Sequence, residues 1–139
     1  MRPAPTRRTT ETDRRHLLFV HGILRRGEHH ERLLARDEFL GEVATAEGYR
    51  LFDLGSAPGM VVSAEGTVRG ELYEVSTATL ASLDRLHGHP RWIRRQPVVL
   101  ERASGHRFEA WAYLHTSAEV AGKSAIESGD WTAHREARA

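Results

Sequence analysis

The apolar positions of this chain come in short bursts separated by glycines and charges. Residues 16–20 (HLLFV) form a continuous apolar run that stops at Gly22, the pattern of a strand buried on both faces. Residues 28–37 (EHHERLLARD) have helical spacing, with Leu33 and Leu34 as their apolar points. Residues 38–55 (EFLGEVATAEGYRLFDLG) predict strand, turn and strand, with Gly48 near the turn. Residues 67–75 (TVRGELYEV) alternate: Val68, Gly70 and Leu72 share one face, and Glu71, Tyr73 and Val75 the other. The period then switches. In residues 76–88 (STATLASLDRLHG), Leu80, Leu83 and Leu86 sit three apart, Ser76 or Thr77 is placed to cap a helix, and Gly88 to end it. Residues 94–104 and 107–116 predict two more strands joined through the hairpin turn SGHR. In the second, Phe108, Ala110, Ala112 and Leu114 share a face, opposite Glu109, Trp111, Tyr113 and His115.

Strands outnumber helices and their order is irregular. That predicts an α+β fold, a small mixed β-barrel with packed helices, rather than a doubly wound sheet. The 139 residues suit one domain. Residues 1–14 carry two prolines, four threonines and no apolar cluster, which predicts a disordered arm. The domain is expected over residues 15–131. Residues 132–139 lack a core face and are expected to be a tail, frayed or briefly helical.

Composition then narrows the partners. Twenty basic and 19 acidic residues leave a formal net charge of +1, so neither a nucleic acid nor a membrane surface is called for. The longest apolar run is far too short to span a bilayer, and no apolar segment follows the N-terminal arginines as a secretory signal would require. The chain has no cysteine, which excludes disulfides and thiolate chemistry, and a cytoplasmic protein is the expectation. Nine histidines raise the question of a metal, but no H-E-x-x-H helix occurs and the spacings are poor, so no metal site is expected.

Several stretches taken in order carry a resemblance. LFVHGILRRGE is followed by GTVRGELYEV, then LDRLHG, WIRR, AWAYL and SGDW. In order and spacing the chain resembles the gamma-glutamylcyclotransferase-like, or AIG2-like, family over roughly residues 17–131. Members carry a Y-G-S/T-L loop after the first strand, then V-x-G-E-L-Y/W, L-D-x-x-E-G, Y-x-R and S-G-x-W. The resemblance implies a compact mixed barrel with a cavity and an enzyme that needs no cofactor. Such enzymes cut a gamma-glutamyl amide without water: the substrate's own alpha-amine attacks its side-chain carbonyl, releasing 5-oxoproline and a free amine. It further implies that the loop holds the glutamyl part and that the glutamate of L-D-x-x-E-G is the general acid/base.

The departures fall on the chemical positions. The loop reads His21, Gly22, Ile23 and Leu24, so histidine stands for the tyrosine and isoleucine for the hydroxyl residue. His87 occupies the glutamate position, and Trp92, Ile93 and Arg94 the Y-x-R position. A neutral imidazole is a competent base near pH 7, with an ordinary pKa of about 6.5, but unlike a carboxylate it supplies no charge to hold an ammonium. His87 is therefore the candidate catalytic residue. The candidate substrate-binding set is His21, Gly22, Ile23, Leu24, Glu71, Trp92, Arg94 and Tyr113. Three readings stay open: a cyclisation or elimination on an altered small molecule, in specialised metabolism by analogy; ordinary gamma-glutamylamine cyclotransferase action; or a binding protein without chemistry. The expected partner is a gamma-glutamyl amine or a carboxylate-bearing compound, bound by a monomer or homodimer. Blander roles stand beside these: His87 as a helix C-cap, His89 as a solvated residue before Pro90, Glu71 as structural, and Arg94 as a solvated charge.

Overall fold

The computed structural model of the protein describes residues 14–138, so the expected arm lies outside the described residues apart from Arg14. In chain order the elements are β1 (Arg15–Val20), a 3-10 turn (Glu31–Leu34), β2 (Glu38–Thr45), β3 (Tyr49–Asp53), β4 (Pro58–Val62), β5 (Arg69–Ser76), α1 (Thr77–His87), β6 (Arg94–Glu101), β7 (Arg107–Leu114) and α2 (Trp131–Arg138). Strands β1, β5, β2, β6 and β7 close a barrel in that order. The closing contact is parallel, with Leu18 of β1 opposite Trp111 of β7; the other pairings are antiparallel. β3 and β4 form a separate antiparallel ribbon. The fold is thus the α+β mixed barrel that the pattern predicts.

Strand alternation builds two cores. Phe19, Leu72, Val98, Leu100, Ala110, Ala112 and Leu114 point to one, which Trp131 and Ile126 complete. Leu18, Val20, Tyr73, Val75 and Tyr113 point to the other, which receives Leu80 and Leu83 of α1. Both faces of β1 are buried, which explains its unbroken apolar run. Gly70 marks a close approach: a methyl there would run into the Val20 carbonyl and lie 2.8 Å from the Phe19 ring. α1 is capped as its sequence indicates. The Ser76 hydroxyl accepts from Thr79 N–H at 3.1 Å, and Gly88 ends the helix at φ 68°. Leu86 departs from the expected stripe and is 49% exposed.

One further local expectation is corrected. Residues 28–37 do not form an α-helix; the backbone bonds run three residues apart, from Leu33 N–H to His30 O and from Ala35 N–H to Arg32 O. Leu34 is buried there while Leu33 is 42% exposed, so a single anchor replaces the apolar stripe that stabilises a longer helix. Residues 58–62 form a strand that opens on Pro58, a position where proline gives up no ladder bond. Residues 131–138 form a short helix, one of the two forms expected of residues 132–139, and it is docked by Thr132, His134 and Arg135.

Candidate active site

Where β1 ends, the chain turns at Gly22, whose missing side chain admits the Pro58 ring: an added Cβ would lie 2.7 Å from it. Leu54, Ala57 and Pro58, flanking the start of β4, thereby come over the β1 loop. Together with Phe19, Val20, His21, Gly22, Ile23, Leu24, His87, Ile93, Tyr113 and His115 they enclose a cavity of about 140 Å³. An apolar cavity near 150 Å³ takes benzene, so this one matches a ligand fragment of about six heavy atoms. Its walls are mainly hydrocarbon, and three imidazoles, those of His21, His87 and His115, stand among the lining side chains. No aspartate or glutamate lines it.

His87 is the best-fixed of the three. It is the last residue of α1, and its Nδ1 lies 2.7 Å from the Leu83 carbonyl oxygen one turn back. A carbonyl only accepts, so Nδ1 carries the proton, and in the neutral ring Nε2 holds the free lone pair. The ring stacks on Tyr113 with centroids 3.8 Å apart and an interplanar angle of 8°. Tyr113 is itself held, donating its hydroxyl to Asp84 Oδ1 at 2.7 Å. Arg95 donates to both oxygens of Asp84, at 2.8 and 3.1 Å, and lies over the Trp111 ring at 4.3 Å. The Asp84–Arg95–Tyr113 group thus props the His87 ring from behind, a supporting shell of the kind that fixes a reactive imidazole.

The electrostatics keep the imidazoles neutral. Burial pushes His21 down to about 3, and His87, His115 and Arg25 push the same way. Burial also lowers His87, outweighing the Leu83 bond and the Asp84 charge, which favour its protonated form. It lowers His115 despite nearby Glu119. Asp84 goes the other way. Burial works to raise it, but the bonds from Arg95 and Tyr113 hold the carboxyl below its usual range.

The structure gathers six of the nine proposed site residues around this cavity: His21, Gly22, Ile23, Leu24, His87 and Tyr113. Three lie outside its lining. Glu71 is buried beneath the loop, accepting from Arg26 N–H at 2.8 Å and pairing with Arg25 at 3.7 Å. Trp92 is 63% exposed and packs over Gly88. Arg94 faces Glu119 at 3.8 Å. His89 is not simply solvated; its Nδ1 accepts from Arg95 N–H at 2.9 Å. His115 is the cavity residue that the pattern placed on the Tyr113 face without singling it out. Alternation along residues 107–116 was the signal that could have found it. Among the described residues, no group of three or more His, Asp or Glu side chains is placed to hold a metal ion, and no helix is long and apolar enough to cross a membrane.

Comparison with known proteins identifies the family and the fold. The family model for gamma-glutamyl cyclotransferase, AIG2-like, matches residues 18–133. A Vibrio cholerae protein provisionally named a gamma-glutamylcyclotransferase is 39% identical over 116 residues, covering 84% of this chain and 95% of its own. The gamma-glutamylcyclotransferase family protein YtfP of Escherichia coli K12 is 36% identical over 114 residues, covering 82% and 94%. The solved structure of YkqA from Bacillus subtilis superimposes with a TM-score of 0.73 at 31% identity, covering 90% of this chain and 42% of that one. With the barrel, the loop after β1 and the cavity at its mouth all in place, the chain belongs to the AIG2-like gamma-glutamyl cyclotransferase family.

Proposed function

We propose that the chain is a cyclotransferase-like acid–base enzyme in which His87 Nε2 does the work of the family's glutamate. The observation that carries this is the Nδ1 bond to the Leu83 carbonyl, which leaves Nε2 as the basic nitrogen of a ring fixed at the cavity wall. In the step proposed, a nucleophilic atom of the substrate bonds to its own carbonyl carbon and the bond to the leaving amine breaks. One proton passes from the nucleophile to Nε2 and on to the leaving group, so nothing is gained or lost overall. A cavity without a carboxylate gives an incoming ammonium no counter-charge. The favoured substrate is therefore a small amide whose attacking group is neutral, the kind of compound met in specialised metabolism.

The test compares gamma-glutamyl amines with their 2-hydroxy counterparts, which would close to a lactone. Faster ring closure in the hydroxyl series, with His87→Ala reducing it by about 10²–10⁴ while the fold is retained, is the expected result. The rate should rise with pH through a value below 6.5, because burial lowers His87 and the base must be unprotonated. An unchanged rate in His87→Ala overturns the reading. A second reading, ordinary 5-oxoproline release, draws on the relatives named for that activity; it wins if the amine series turns over faster. Binding of both series without conversion by either would mark a non-catalytic protein.

A further inference from the structure

Two separate stretches of chain wall the cavity. On one side is the loop after β1, with Ile23 and Leu24; on the other is the turn between β3 and β4, with Leu54, Ala57 and Pro58. They touch where the Pro58 ring meets Gly22. Within the turn, Leu54 N–H donates to Ala57 O at 3.0 Å and Gly55 N–H to Asp53 Oδ1 at 2.8 Å. The ribbon below it is tied down by its backbone: Asp53 N–H donates to Ser124 O at 2.9 Å, and His115 N–H to Met60 O at 2.8 Å. The turn itself is held from α2. Asp53 Oδ2 accepts from Arg138 Nη1 at 2.6 Å and lies 2.9 Å from His134 Nε2, and Arg138 Nη2 reaches Gly55 O at 3.5 Å.

The same helix grips the opposite wall. Arg25 Nη1 donates to Asp130 Oδ1 at 2.8 Å, next to the start of α2, and Glu28 accepts from Trp131, Thr132 and Arg135. Glu28 belongs to the loop's own hydrogen-bond net, in which Glu28 N–H donates to Arg25 O at 3.0 Å and His30 N–H to Ile23 O at 2.8 Å. α2 has 8 residues, a length of about 12 Å at 1.5 Å per residue, enough to run from one wall to the other. We propose that α2 is a brace between the two walls of the cavity, and that Asp53 is the positioning residue through which it holds the 54–58 turn closed against the loop after β1. The width of the cavity is then governed by side chains outside its lining, since neither His134 nor Arg138 lines it. A turn with so few bonds of its own opens locally at small cost. Bonds to a carboxylate oppose that opening, although the partial exposure of the Arg138 and His134 side chains, 43% and 26%, keeps their contribution to the whole fold small. The brace acts whichever group in the cavity is the base, so the outcome for His87→Ala leaves it untouched.

The experiment follows amide hydrogen exchange and the ring ¹⁵N signals of the histidines by NMR in the full chain. The double variant His134→Ala/Arg138→Ala removes both α2 donors and leaves Asp53 and every cavity residue in place. The Leu54 and Gly55 amides should then exchange about tenfold faster, while the amides of β1 and β5 keep their protection. The ring signals of His115, which meets Leu54 at Gly59, should move although no residue touching them has been replaced. His134→Gln in the Arg138 background, whose amide nitrogen has about the reach of Nε2, should keep the turn near its parent protection. Unchanged exchange at Leu54 and Gly55, or equal acceleration throughout the barrel, overturns the proposal. So does a His134→Gln variant as open as the double variant. Should the double variant not fold, Arg138→Ala alone is read by the same criteria.

Discussion

Glu28 and His21 stand on the same loop after β1, and both are largely withdrawn from water, yet their surroundings are opposite. Glu28 is 6% exposed, and its carboxylate is saturated. Trp131 Nε1 donates at 3.2 Å, Thr132 at 3.0 Å, and Arg135 through two nitrogens, the shorter bond 2.8 Å. Nearby, Asp53 accepts from Arg138 and lies 2.9 Å from His134 Nε2, so α2 is fastened at two points. His21 has no such company. Its Nδ1 is unpartnered, and its neighbours are two more imidazoles, an arginine and hydrocarbon. Burying a polar group is costly unless something answers it. The clasp on Glu28 is answered within the chain and has no capacity left for a ligand. In the imidazole cavity the chain itself supplies no partner for the buried Nδ1 of His21 or of His115. The two regions of one loop thus differ in whether the chain answers its own buried polar groups.

That contrast can be broken or sharpened by measurement. The largest effect should come from Glu28→Ala, which leaves the buried Trp131 N–H without its acceptor and frees the end of α2; urea denaturation should show a loss of about 2 kcal/mol. A stability within about 1 kcal/mol of the parent would dissolve the distinction. Next comes pH. An unfolded chain protonates His21 near 6.5, whereas the folded one resists until about 3. Between those values the unfolded state binds more protons, so stability falls as pH falls, and above 6.5 the contribution is flat. From pH 7 to 5 the fall from His21 should be about 2 kcal/mol, with His87 and His115 acting in the same direction. The lowered carboxylates Asp84 and Glu28 act only below their ordinary values of 3.8 and 4.5, outside this interval. His21→Leu should remove most of the fall; an unaltered pH dependence would place its source elsewhere. A smaller effect is expected for His115→Leu at pH 7, within about 1 kcal/mol of the parent, since an unpaired imidazole gives up little when replaced by hydrocarbon. Smallest of all, Arg94→Ala should shift stability by under about 0.5 kcal/mol, because its 3.8 Å pair with Glu119 is open to water.

Much of the barrel is legible in the chain because alternation is a local property. The two faces of residues 67–75 and 107–116 divide as the pattern divides them, and the caps of α1 are Ser76 and Gly88. The ordered motifs pointed to the family, and six of the nine candidate site residues meet at one cavity. Where local signals were weak, the reading went astray. Residues 28–37 offered helical spacing but only one buried anchor, Leu34, and what docks α2, its bonds to Glu28 and Asp53, lies far away in sequence.

By itself the sequence determined the strand pattern, the helix caps and the family, since each is written in neighbouring residues or in motif order. Only the tertiary structure decided which nitrogen of His87 carries the proton, because that rests on its bond to Leu83 and on a cavity closed by β4. It alone brought His115 beside His21, joining the ends of two strands that meet across the barrel's parallel seam. Hydrogen-bond direction and burial arise between segments, and no local pattern encodes them.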